Sequence, residues 1–162
     1  MRHPSRRAIL GLVLLPLAAC GGGRDSAQVG TMSAATRAPL NPGETPEMRR
    51  LVNKWADRHD IPPALVHRVI QRESDYRADA LNPAGPYYGL MQILPATARS
   101  MGHRGPARAL LDPEVNLKYA GRYLRGAWLV SGGDIDDAVM WYARGYYYEA
   151  KRLGLLEETG LR

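Results

Sequence analysis

The stretch VIQRESDY, residues 69–76, follows PPALVHR and decides how this part of the chain is read. On a helix at about 100° per residue, with Leu65 at zero, Val69 falls at roughly 40°, Val66 at roughly 100° and Ile70 at roughly 140°. Glu73 falls at roughly 80°, in the middle of that apolar arc. His67, Arg68, Gln71, Arg72 and Asp75 spread over the other side. The spacing therefore predicts an amphipathic helix that ends in a carboxylate on its apolar face. A carboxyl in apolar surroundings has its charged form disfavoured, so it keeps its proton to higher pH and can act as an acid. An acid of this kind serves glycosidic cleavage. A Glu paired with an Arg, or capping a neighbouring helix, would satisfy the same wheel, and the wheel leaves both readings open.

Neighbouring segments continue the helical reading. PEMRRLVNKWADRHD, from Pro46, has Met48, Leu51, Val52 and Trp55 at helical spacing, with Pro46 suited to a first turn. DYRADALNPAGPYYG, from Asp75, is rich in turn formers: Asn82-Pro83 and Gly85-Pro86 both interrupt regular structure. LMQI is a short apolar run, and PATARSMG is a helix opened by Pro95 and closed at Gly102. DPEVNLKYAGRYLRGAWLVSGG has Asp112 as N-cap and Glu114 set against the helix dipole, and its apolar residues cover over half the circumference. Such a helix is central and largely buried. The last segment, DIDDAVMWYARGYYYEAKRLG, places Ile135, Val139, Tyr142, Tyr146, Ala150 and Leu153 on one face, and Gly145 is placed to bend or split it. No run of strands and no repeat is present. The expected fold is mainly α, with little or no β-sheet.

Ahead of this domain the composition changes. Residues 1–19 combine a basic start, MRHPSRR, with the apolar run AILGLVLLPLAA, and read as an export signal too short to span a bilayer comfortably. LAAC resembles the lipobox of bacterial lipoproteins, which implies lipidation at Cys20, the one cysteine in the chain. SRRAIL also resembles a twin-arginine export signal. With a single cysteine no disulfide can form within the chain, so the core alone must hold the fold. Residues 20–45 are rich in Gly, Ala, Ser, Thr and Pro and read as a flexible linker with a reach of roughly 25–30 Å. The domain is expected over residues 46–162. Of the net charge of +6, half comes from Arg2, Arg6 and Arg7, and no Lys/Arg run of nucleic-acid type follows. We therefore expect no nucleic-acid partner.

Other chemistries find no foothold. His3, His59, His67 and His103 share no ligand spacing with one another or with a cysteine, so neither a metal nor a cofactor is expected. There is no G-x-S-x-G elbow for a serine hydrolase. Glycines 21–23 belong to the linker rather than to a phosphate loop.

The order RESDY, GLMQILPATA, LLDPEVNLKYAGRYL and AVMWYARG resembles the soluble lytic transglycosylase family, glycoside hydrolase family 23, whose relatives are the goose-type lysozymes. That resemblance implies a lysozyme-like helical domain with its catalytic Glu at a helix end. It implies cleavage of the β-1,4 bond between N-acetylmuramic acid and N-acetylglucosamine, with glycan strands of peptidoglycan as the partner and 1,6-anhydro ends as the product. By the same resemblance Glu73 is the acid and base, and Ser74, Asn82, Met91, Gln92 and Tyr142 contact the sugar cleft. Tyr88, of the Tyr87–Tyr88 pair, is a candidate stacking platform. Asn116 is read as a buried structural amide. One departure stands out: the family's Ala-Tyr-Asn-Ala-Gly is here WYARG, with Ala143 for the asparagine and Arg144 after it. Arg144 could meet a lactyl or peptide carboxylate. A non-catalytic glycan-binding lipoprotein and a lysozyme-type hydrolase are the alternatives. The expected state is a monomer in the periplasm, held by its lipid to a membrane, and with Gly21 after Cys20 that membrane is expected to be the outer one.

Overall fold

A computed structural model describes residues 38–161. The export signal, Cys20 and most of the linker lie outside the described residues.

Helices dominate, and their starts are written in side chains. α1 (Pro46–His59) is capped by Thr45, whose hydroxyl accepts from the Met48 N–H. α2 (Pro63–Glu73) and α3 (Pro95–Ser100) also open on prolines, which lack the N–H that a first turn would leave unpaired. α4 (Pro113–Val130) is capped by Asp112 accepting from the Val115 N–H, and α5 (Ile135–Arg144) by Asp134 accepting from Asp137. Gly145, at φ +85°, ends α5, and α6 (Tyr147–Leu153) resumes two residues later. The last helical segment is therefore split where the glycine predicts. A 3-10 turn, Ala107–Leu111, leads into α4.

α4 is the central element. It packs against α1, α3, α5, α6 and the 3-10 turn, with Leu117, Ala120, Leu124 and Ala127 fully buried. Val52 and Ala56 of α1, Leu65, Val69 and Ile70 of α2, and Ala138 of α5 complete the core. Between α2 and α3 the chain forms a small antiparallel hairpin, β1 (Leu81–Asn82) with β2 (Tyr87–Tyr88), in which Leu81 pairs with Tyr88 and Asn82 with Tyr87. Among the described residues this is the only sheet. The fold is mainly α, as the periodicity predicts.

One expectation needs correcting. The stretch read as the end of a linker, up to residue 45, is docked on the domain. Glu44 is buried, and its carboxylate takes Arg49 Nε and Nη2, each at 2.5 Å. The Asn41 side chain donates to Glu44 and to the Tyr76 hydroxyl, while Arg49 also donates to the Ala38 and Pro39 carbonyls. His67 Nδ1 lies 2.7 Å from the same Tyr76 hydroxyl. Composition suggested a coil, but a single buried carboxylate with a fork-shaped partner is enough to order this strap.

Candidate active site

α2 ends where its apolar arc ends. Leu65, Val66, Val69 and Ile70 are buried, and Glu73 emerges from the last turn with its side chain 23% exposed. Ser74 closes the helix, and Asp75 and Tyr76 follow with φ +50° and +62°, a left-handed pair that turns the chain sharply away. Non-glycine residues rarely take that conformation, and such strain gathers at functional sites. Here it leaves Glu73 at the lip of a cleft of about 460 Å³.

The walls of the cleft come from α2, the hairpin and the loop after it, α3, α4 and the end of α5. α2 contributes Arg72 and Glu73, the hairpin Asn82 and Tyr87, and the following loop Gln92, Ile93 and Leu94. Thr97, Tyr123, Tyr142, Ala143, Arg144 and Gly145 complete it. Among these residues Glu73 is the one carboxyl. Burial pushes its pKa above the ordinary value, and the charge of Arg72, whose Nε lies 3.5 Å away, offsets this only in part. Tyr142 adds nothing to hold a carboxylate. Its hydroxyl donates to the Met91 carbonyl at 2.8 Å, so its proton is already committed. Burial first, and the charge of Glu73 second, keep that phenol un-ionised by raising its pKa well above normal. Asp75 and Asp79, the nearest other acids in sequence, are exposed and do not line the cleft.

The remaining candidates divide. Gln92 lines the cleft at φ +46°. Its amide Nε2 donates to the Ala80 and Gly89 carbonyls, which leaves the carbonyl oxygen without a partner among the described residues. Asn82 lines it too, with Oδ1 accepting from the Ala84 N–H. Ser74 and Met91 do not line it. Ser74 is buried and donates its hydroxyl to the Leu90 carbonyl at 2.8 Å; Met91 is fully buried and offers only its backbone to neighbours. Tyr88 also turns away, packed against the core, while its strand neighbour Tyr87 takes the cleft position opposite Asn82. Successive strand residues face opposite ways, so only one of the pair could serve. Residue reading also missed Tyr123, which sat in the apolar arc of α4 as one more core aromatic. Its phenol, half-buried at the cleft, was the signal.

Asn116 holds the loop in place. It is fully buried; Oδ1 accepts from the Met91 N–H, and Nδ2 donates to the Tyr88 and Leu110 carbonyls. Gly89 passes so close that a Cβ would lie 2.4 Å from the Leu110 oxygen and 2.5 Å from Asn116 Nδ2, at φ +70°. Only glycine fits. Among the described residues no three His, Cys, Asp or Glu side chains gather as metal ligands would.

The transglycosylase SLT domain matches residues 50–154, well over half of the chain, and that span contains every cleft residue named above. The chain belongs to the transglycosylase SLT domain family. A transglycosylase of Enterobacteria phage PRD1 is 34% identical to this chain over 88 residues, which cover 54% of this chain and 31% of the phage protein. The chain thus matches about a third of that relative's length. No solved structure matches it. The residues matched by the SLT domain include the carboxyl at the end of α2 that lies at the lip of the cleft.

Proposed function

We propose that this SLT domain is a lytic transglycosylase, cleaving the β-1,4 bond between N-acetylmuramic acid and N-acetylglucosamine in peptidoglycan. One observation carries the reading: Glu73 is the one carboxyl among the described cleft residues, and its surroundings favour the protonated form. A two-carboxylate mechanism needs a second acid to act as nucleophile or to activate water, and among the described residues no second acid lines this cleft. A single carboxyl suffices if the substrate supplies the nucleophile. Glu73 gives its proton to the glycosidic oxygen as the bond from C1 breaks, with the acetamido group of the muramic acid supporting the developing charge. The carboxylate then takes the proton of the C6 hydroxyl, whose oxygen closes on C1. The products are a free sugar end and a 1,6-anhydro end; water is not consumed and Glu73 is protonated again.

Asn82, Tyr87, Gln92 and Tyr123 would line the sugar, and Tyr142 would keep the wall behind Glu73 in place. Ser74, Met91 and Tyr88 support the site from behind rather than by touching glycan. The sequence LAAC supports lipidation at Cys20, and hence a periplasmic enzyme tethered to a membrane, the outer one on the evidence of Gly21. Its role would be remodelling of the cell wall.

The test is digestion of purified sacculi by the full chain, followed by mass analysis of the fragments. Anhydro ends, lighter than reducing ends by one water and lost in Glu73→Gln, are the expected result. Reducing ends would make the enzyme a hydrolase. Binding without any Glu73-dependent release would make it a glycan-binding lipoprotein.

A further inference from the structure

Beside the cleft lies a second depression of about 480 Å³, and Arg72, Ala143 and Arg144 line both. Arg68 and Asp136, which also line it, are paired at 2.5 Å. Among the described residues Arg144 has no carboxylate within ion-pair distance, and Arg72 has only Glu73. Arg144 lies over the Trp141 ring at 4.4 Å and donates to Met140 Sδ at 3.6 Å. The acid that acts on it electrostatically, Glu149, is held by Arg152 through two hydrogen bonds. Arg72 faces Glu73 at 3.5 Å, beyond a good hydrogen bond, and that attraction disappears whenever Glu73 carries its proton. Ala143, which also lines both depressions, carries only a methyl group.

We propose that the second depression is a carboxylate subsite in which Arg72 and Arg144 bind an acidic group carried on the glycan strand. This rests on the peptidoglycan reading of the cleft, where muramic acid bears, through its lactyl group, a peptide with free carboxylates. Because Arg72 and Arg144 line both depressions, a strand seated with its scissile bond at Glu73 brings that peptide beside them. Planar guanidinium groups suit carboxylates because two N–H donors can meet two oxygens. Occupation also feeds back on the chemistry. An anion on Arg72 neutralises the charge that favours ionised Glu73, so a peptide-bearing strand helps keep the acid protonated. The subsite therefore makes the enzyme select substituted strands over bare ones.

The experiment compares the full chain on two substrates: glycan strands with intact peptides, and the same strands stripped by an N-acetylmuramoyl-alanine amidase, with the lactyl carboxylates this frees capped as amides. Wild type should show kcat/KM about tenfold higher or more on the peptide-bearing strands, as expected for one charge-assisted contact. Arg144→Ala should bring that ratio close to one, and Arg144→Lys should restore part of it. Equal turnover of both substrates by wild type, or an equal fall on both in Arg144→Ala, overturns the proposal. If wild type turns over neither, the transglycosylase reading fails separately. The subsite is then judged by the Kd for the two strand types, with the same ratio and the same variant.

Discussion

Glu73 and its neighbour Arg72 act on each other through a single charge. The buried side of α2 raises the carboxyl's pKa and Arg72 pulls it down, with burial the larger effect. The reaction needs the protonated form, so turnover should decline as pH rises through the raised pKa of Glu73. Replacing Arg72 by Gln removes the one charge that favours the carboxylate, which moves that decline to higher pH. A pH–rate profile on soluble strands checks it; a limb unmoved in Arg72→Gln would mean the two groups do not communicate. At this scale the sequence was informative about Glu73, because a carboxyl in an apolar arc is visible on a wheel. It was less so about Ser74, Met91 and Tyr88. Adjacent residues of a motif share a backbone but not a direction, and which of Tyr87 and Tyr88 faces the sugar depends on a register that pairing with Leu81 and Asn82 decides.

The loop between the hairpin and α3 is held by α4 more than by itself. Asn116 pairs the buried Met91 N–H and the Leu110 carbonyl, and gives a second hydrogen bond to the Tyr88 carbonyl, which also accepts from the Ile93 N–H. Asn116→Asp keeps the shape and the acceptor but cannot donate, so two carbonyls would face a carboxylate. We expect a loss of about 1–3 kcal/mol in urea unfolding, the cost of a buried group left unsatisfied. A loss below about 0.5 kcal/mol, the range of an ordinary surface change, would show that the loop stands without this amide. Element starts were legible because prolines and capping acids mark them, and Gly145 announced the division between α5 and α6. The 3-10 turn at Ala107–Leu111 was not, having neither a cap side chain nor a period of its own.

For the molecule as a whole, the strap before α1 ties the chain ahead of the first helix to the domain. Burial alone would push the Glu44 carboxyl up, yet the Arg49 guanidinium, Asn41 and nearby His67 outweigh it and hold its pKa below the ordinary value. A carboxyl shifted this way stabilises the fold above its unfolded pKa, and that contribution is lost as pH falls through the folded one. A chain begun at Pro46 loses Glu44 and the Ala38 and Pro39 carbonyls from beside Arg49, and with them the buried ion pair. Thermal melts should therefore separate a chain begun at Pro46 from one begun at Ala38, and equal midpoints would show that the strap is idle. Composition hid this segment, since a Gly/Pro-rich stretch reads as coil until its one acid is given a partner. The hydrogen bond from Tyr142 to Met91 has a consequence of another sort. It joins α5 to the loop on the other side of the cleft, so the two walls are already tied before any ligand arrives. An inhibitor shaped to this groove would lose little of its binding energy in drawing those walls together.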